Sequence, residues 1–252
     1  MSAAVADLLR RAGREVAARA GDDRLTFRDK AAGRGGAVDL VTECDLAVDR
    51  LVTEGLGQLF PGVPVVSEER APPSEAGTGD VFVLDPVDGT HNFASGVPWW
   101  GISLGRVHGA ELREAWLLEP TTGRMYHASA DGPATRDGAA IAVTSRPPAR
   151  SLLSVALSRE LLPLLMASNR FSGTRAMGCA SLGLAWAADG RFGLHAARNH
   201  PWDVAAGYLL VERAGGVVVD LRGEPVSIWD HVHTLAGAPA AVEVALEILA
   251  AG

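Results

Sequence analysis

Residues 81–93 read VFVLDPVDGTHNF: an apolar run from Val81 to Leu84, then Asp85, Pro86, Asp88 and Gly89 in quick succession. The run has the length and composition of a buried strand. Asp88-Gly89 is an ordinary turn pair, and Pro86 suits the start of a turn. Neither explains Asp85 at the very tip of the strand. That position is where open α/β sheets keep their ligands, and two carboxylates there ask for a positively charged guest.

Working outward, residues 3–19 carry Val5, Leu8, Leu9, Ala12 and Val16 near helical spacing, and 44–60 repeat the pattern before Pro61-Gly62 stops it. Val63 to Val66 reads as a short strand leading to Ser67-Glu68-Glu69, and 71–79 as a flexible connection. Strand-like segments at 99–107, 112–119 and 124–129 follow without helices between them, which predicts an antiparallel sheet. From about 150 the units alternate: strand 151–157, helix 159–168, helix 179–189, strand 191–196, helix 202–214, strand 216–221 and helix 239–250. The pattern predicts one domain over 1–252 with an α+β part to about 150 and an α/β part after it, in sheets sandwiched by helix layers.

The 252 residues carry a net charge of −7, which argues against a nucleic-acid-coating surface. Cys44 and Cys179 have neither metal-ligand spacing nor a disulfide framework, so a reduced, cytoplasmic setting is expected. No signal-peptide pattern opens the chain, and no apolar run reaches the length of a membrane span.

Four segments place acids just beyond apolar runs: Asp45 after VDLVTEC, Glu68 after VPVVS, Asp85 and Asp88 after VFVL, and Asp203 after HPW. Singly, Asp45 and Asp203 read as helix N-caps and Glu68-Glu69 as a solvated loop end. Brought together, Glu68, Asp85, Asp88 and Asp203 would repel one another unless they took up protons or cations. Hard oxygen ligands with room for water suit Mg²⁺. No His/Cys group has zinc spacing.

DPVDGTHNF, with SEE upstream and WDVAAGYLLVERAGG downstream, resembles the inositol monophosphatase family of metal-dependent phosphatases. VDLVTECD at 38–45 and GPATRDGAAIAVTSR at 132–146 extend the resemblance over nearly the whole chain. It implies a layered αβαβα sandwich of the sugar-phosphatase type and a homodimer. It also implies Mg²⁺-dependent hydrolysis of a small phosphate monoester by a metal-activated water, with two or three Mg²⁺ per site. By the family pattern Glu68, Asp85, Asp88, Asp203 and the backbone carbonyl of Val87 hold metal, while Thr90, hydrogen-bonded to Asp45, works with Glu68 on the water. Backbone groups of Gly89 and Thr90 meet the phosphate, and Asp88, Cys179, Ala180, His195 and Asp203 line the substrate. Thr42 reads as a support for Asp45 or for a nearby water, and equally as a structural threonine at a strand end.

The chain departs from the pattern in two places. Arg34 stands where many members carry lysine, and Arg does not imitate a compact ammonium. Inositol-specific members place a glutamate a few residues before Trp-Asp, but here the aligned position falls on His195 or Ala196, and no acid lies between Gly190 and Trp202. Inositol-, sugar-, cyclitol- and amino-alcohol phosphates therefore stay open. So do 3′-phosphoadenosine 5′-phosphate and histidinol phosphate, and, outside the enzymes, a catalytically idle metal-binding regulator. His195, Arg198, Asn199 and His200 could meet another anion or a base, or equally be a solvated loop with a satisfied histidine. His91 reads as important through its backbone, and Trp99 and Trp100 as core or interface.

Overall fold

The computed structural model describes residues 1–29, 40–70, 79–156, 161–198 and 200–251. The readings on Arg34, on Asn199 and on most of the 71–79 connection lie outside the described residues.

Helix α1 (Ser2–Ala17) buries Val5, Leu8, Leu9, Ala12 and Val16 on one stripe. A two-stranded ribbon, β1 (Phe27–Asp29) with β2 (Leu40–Thr42), leads into α2 (Glu43–Leu59), whose buried side carries Cys44, Val48, Val52 and Leu56. These helices cover one face of a seven-stranded sheet. Its strands are β3 (Val65–Ser67), β4 (Asp80–Asp88), β5 (Gly101–His108), β6 (Glu111–Glu119), β7 (Arg124–Ser129), β8 (Thr135–Arg136) and β9 (Ala139–Ala140), side by side in chain order. Only β3 and β4 run parallel. Along β4 the alternation sends Phe82 and Leu84 to the α1–α2 side and Val81 and Val83 to the other. Both faces are covered, which is why the strand reads as an unbroken apolar run.

The second half adds β10 (Leu152–Ala156), α4 (Leu161–Ala167), β11 (Gly173–Arg175), α5 (Ala180–Ala188), β12 (Phe192–Arg198), α6 (Pro201–Arg213), β13 (Val217–Asp220), β14 (His233–Gly237) and α7 (Pro239–Ala250). Its strands form a five-stranded sheet ordered β11-β10-β12-β14-β13, parallel across β11-β10-β12 and antiparallel beyond. α5 and α6 lie between the two sheets, and α4 and α7 cover the outer face of the smaller one. The central helices are accordingly buried almost all round, Val204 to Val211 along α6 for example, whereas α1 is amphipathic. The layers run α1–α2, seven strands, α5–α6, five strands, α4–α7. This is the αβαβα sandwich expected.

The sequence reading missed β11 and β14, and it began β5 two residues early at Trp99. Trp99 and Trp100 are buried, as core residues. Asp45 and Asp203 are not N-caps. Thr42 and His200 hold those positions, and each aspartate sits three residues later, its carboxylate accepting from the cap's backbone N–H. The physical reason is the capping box, in which the acid at the third helical residue reaches back to the first turn's free donor.

Candidate active site

The acids converge. β4 delivers Asp85 and Asp88, and the N-terminus of α6 delivers Asp203. One carboxylate oxygen from each lies within 4.8 Å of the others. Asp85 and Asp88 are buried and Asp203 half-buried. Glu68 follows β3, its N–H donating to the Leu84 carbonyl at 3.2 Å, so the parallel ladder continues one residue past Ser67. Its charge bears on Asp45, Asp85 and Asp203.

The electrostatics follow from burial and crowding. Desolvation first, then the charges of Glu68, Asp88, Asp203 and Asp45, pushes the Asp85 carboxyl well above the usual carboxylate range. Burial and the Asp88 charge do the same to Asp203, although the His200 N–H opposes them. Asp88 is raised chiefly by burial and held down by hydrogen bonds. Its Oδ2 accepts from the Ser181 N–H at 2.5 Å and from the Cys179 thiol at 3.1 Å. No lysine or arginine among the described residues forms an ion pair with Asp85, Asp88 or Asp203.

Beside this cluster, Asp45 is fully buried at the start of α2. Its Oδ2 accepts from the Thr42 N–H at 2.9 Å and from the Thr42 hydroxyl, so Thr42 both caps the helix and fixes the carboxylate. Its Oδ1 lies 3.1 Å from Thr90 Oγ1, which is also 3.0 Å from the Val87 carbonyl. Burial raises the Asp45 carboxyl, and the hydrogen bonds from Thr42 and Thr90 oppose the rise. Asp85 Oδ1 accepts from the Val87 N–H at 3.1 Å, which ties the turn together. Gly89 has φ +89°, and a Cβ there would stand 3.1 Å from the Trp99 carbonyl and 3.2 Å from Cys179 Cβ. Both facts favour glycine at this position.

Cys179 is buried as the N-cap of α5, with Ala180 half-buried behind it. His195, read in the sequence either as a substrate contact or as a satisfied histidine, is packed inside. It is 2% exposed, with Nδ1 2.9 Å from Ser154 Oγ on the neighbouring strand and its ring under Gly183 of α5. Burial pushes its pKa down to about 4, so it is a neutral packing residue near pH 7. Ala196, the other aligned position, is also buried, in the outer core. His91 and Arg198 are exposed, and His200 stacks on Trp202 at 4.9 Å. Ser181 and Asn92 were not singled out in the sequence. The signal for Ser181 is its place in the first turn of a helix, where a backbone N–H is free.

A family model described as the inositol monophosphatase family matches residues 1–250. The chain belongs to that family. Within it, the inositol-1-monophosphatase ImpA of Mycolicibacterium smegmatis is 36% identical over 225 residues, covering 84% of this chain and 80% of the relative. Among solved structures, the extragenic suppressor protein suhB of Bartonella henselae superposes with a TM-score of 0.90 at 24% identity, covering 100% of this chain and 98% of that one. An IMPase/NADP phosphatase complexed with Mg²⁺ and phosphate superposes at 0.85 with 20% identity, covering 97% and 92%. Both structures share the fold with this family member. Like its relatives, this inositol monophosphatase family chain is an enzyme that hydrolyses phosphate monoesters. No helix among its described residues is long and apolar enough to cross a membrane.

Proposed function

We propose that the enzyme is a Mg²⁺-dependent phosphatase of small phosphate monoesters, acting by direct attack of water. One observation carries the reading: three carboxylates with oxygens within 4.8 Å, with no lysine or arginine among the described residues in an ion pair with them. Such a group is stable at neutral pH only with protons or cations, and an all-oxygen donor set matches Mg²⁺. Glu68, Asp85, Asp88, Asp203 and the Val87 carbonyl would hold it. When bound, Mg²⁺ supplies charge stabilisation for the phosphate and lowers the pKa of water.

The chain's own residues do the rest. Thr90 has one hydroxyl proton and two acceptors, Val87 O and Asp45 Oδ1. Donated to Asp45, that proton leaves the Val87 carbonyl free as a ligand and the hydroxyl oxygen free to accept a proton from the attacking water. Asp45, with its raised carboxyl, takes up the relayed proton. Glu68 orients the same water. The turn at Gly89 and Thr90 receives the phosphate, and the start of α5 at Cys179 and Ala180 offers backbone groups to the substrate. Water ends on phosphorus, the bond from phosphorus to the alcohol oxygen breaks, that oxygen takes up a proton from solvent, and the products are inorganic phosphate and the alcohol. An idle regulator would not need the Thr90–Asp45 pair beside the acids. The cytoplasmic setting and the homodimer belong to the same proposal, and the solution mass tests the latter.

The test is phosphate release from a small phosphomonoester with Mg²⁺, with excess chelator, and after Mg²⁺ is restored. Activity should vanish and return. Full turnover in chelator would refute the metal reading.

A further inference from the structure

Asp88 sits where the two halves of the chain meet. Its backbone belongs to β4, while the donors to its Oδ2, Cys179 Sγ and the Ser181 N–H, belong to the start of α5 more than ninety residues later. The carboxylate can keep its aim only if these two segments hold a fixed spacing. Gly89 already abuts the second segment: a Cβ there would stand 3.2 Å from Cys179 Cβ and 3.3 Å from the Gly178 carbonyl. Contact alone sets a minimum distance and does not prevent the segments from parting.

Asn92 prevents it. From the short helix α3 (Thr90–Ala94), its Nδ2 donates to the Trp99 carbonyl at 2.7 Å and to the Met177 carbonyl at 2.7 Å. One amide has two N–H protons, and here one goes to each half of the molecule. Its backbone is fixed in turn, since the Val97 N–H donates to the Asn92 carbonyl at 2.8 Å. Gly178, with φ +68°, turns the chain directly over the amide, where a Cβ would stand 3.5 Å from Nδ2. Aspartate in this place would set a carboxylate against two carbonyl oxygens, and alanine would leave both carbonyls without their donor.

We infer that Asn92 is a positioning residue for the metal centre: by bridging Trp99 and Met177 it holds Asp88 against its hydrogen-bond donors and keeps its second oxygen aimed into the acid cluster. The inference rests on the reading of Asp88 as a metal ligand. Groups that orient metal ligands typically change metal affinity by 10- to 100-fold when removed.

The experiment measures Mg²⁺ binding by calorimetry, and melting temperature, for the unsubstituted enzyme, Asn92→Ala, Asp88→Asn and the double variant. Asn92→Ala should weaken Mg²⁺ binding by about tenfold or more, and the same substitution in the Asp88→Asn background should change it little. Equal losses in both backgrounds, or a lowered melting temperature with unchanged Mg²⁺ affinity, would overturn the inference. Asn92→Ser, which can serve one carbonyl at most, guards against a poorly folding alanine variant. A folded serine variant with unsubstituted affinity overturns the inference equally. If the unsubstituted enzyme binds no Mg²⁺, the metal reading falls and this inference with it. If it binds and the variants match it, the inference falls alone.

Discussion

Thr90 Oγ1 lies 3.1 Å from Asp45 Oδ1, a contact that joins the turn after β4 to the first turn of α2 across 45 residues of chain. Thr42 holds the other oxygen of the same carboxylate, so Asp45 cannot turn away from Thr90. Thr90→Ala should therefore lower kcat on the order of 10²- to 10⁴-fold, the usual range for acid–base assistance, with Mg²⁺ affinity nearly unchanged. Thr90→Ser should recover much of the loss because it restores the hydroxyl. Near-native kcat for the alanine variant would remove Thr90 from the proton path.

The acid cluster predicts how the metal-free protein responds to pH. Asp85 and Asp203 titrate well above their ordinary value of 3.8 in the fold, and Asp88 is also raised. Between the ordinary and the raised values the folded chain keeps protons that the unfolded chain releases. Stability from these groups is present below that window and is lost as pH rises through it. The melting temperature in chelator should thus fall as pH climbs, and saturating Mg²⁺ should flatten the slope. At 100 times its dissociation constant, one bound ion adds about 2.7 kcal/mol. A pH slope unaffected by Mg²⁺ would show that the ion does not bind at these carboxylates.

His195 works in the opposite direction. Its pKa falls from 6.5 to about 4 in the fold, so its contribution is lost as pH drops through that interval. The ring is pinned by Gly183, where a Cβ would come within 2.5 Å of Nδ1 and 2.8 Å of Ser154 Oγ. Gly183→Ala gains about 1 kcal/mol of helix propensity and costs about 1–3 kcal/mol of overpacking. The clash should win, with a net loss of up to about 2 kcal/mol by denaturant unfolding. Adding His195→Ala vacates the space, so the double variant should lose less than the two single losses summed. Strict additivity would mean that the two residues do not compete for one volume.

How much of this was legible in the sequence depended on whether local pattern or distant partners decided it. α1 was readable because its apolar residues recur at helical spacing, and β4 and α6 because unbroken apolar stretches mark elements covered on every side. β14 was not: His233–Gly237 is short, carries two polar residues, and is a strand only because β12 and β13 flank it. The acids at strand and helix ends signalled a cation site. Yet whether Asp45 and Asp203 occupy the cap or the third helical position is a difference of three residues that apolar spacing does not fix. The family pattern set His195 toward the substrate, and the period of β12, which separates two faces without saying which one meets α5, gave no sign that its ring lies under Gly183.

That burial decides the last prediction, on substrate choice. By the family pattern the polyol-reading acid falls on His195 or Ala196, and both are buried in packed layers. A glutamate placed at 196 would enter the outer core beside Leu194 and Leu235 instead of reaching a hydroxyl, and it should lower stability without raising inositol-phosphate turnover. On the proposed reading the phosphate is recognised at the 85–90 turn, which would be indifferent to the alcohol. Sites built to hydrogen-bond a hydroxyl reject analogues lacking it by about 10⁴- to 10⁵-fold, and sites without such groups discriminate weakly. The kcat/KM values for inositol 1-phosphate, sugar, nucleotide and amino-alcohol phosphates should therefore show only a modest preference for inositol 1-phosphate, with a better substrate elsewhere in the panel. A preference for inositol 1-phosphate above roughly 10³-fold would mean that other residues, such as exposed His91 or His200, read the ring in place of the missing acid.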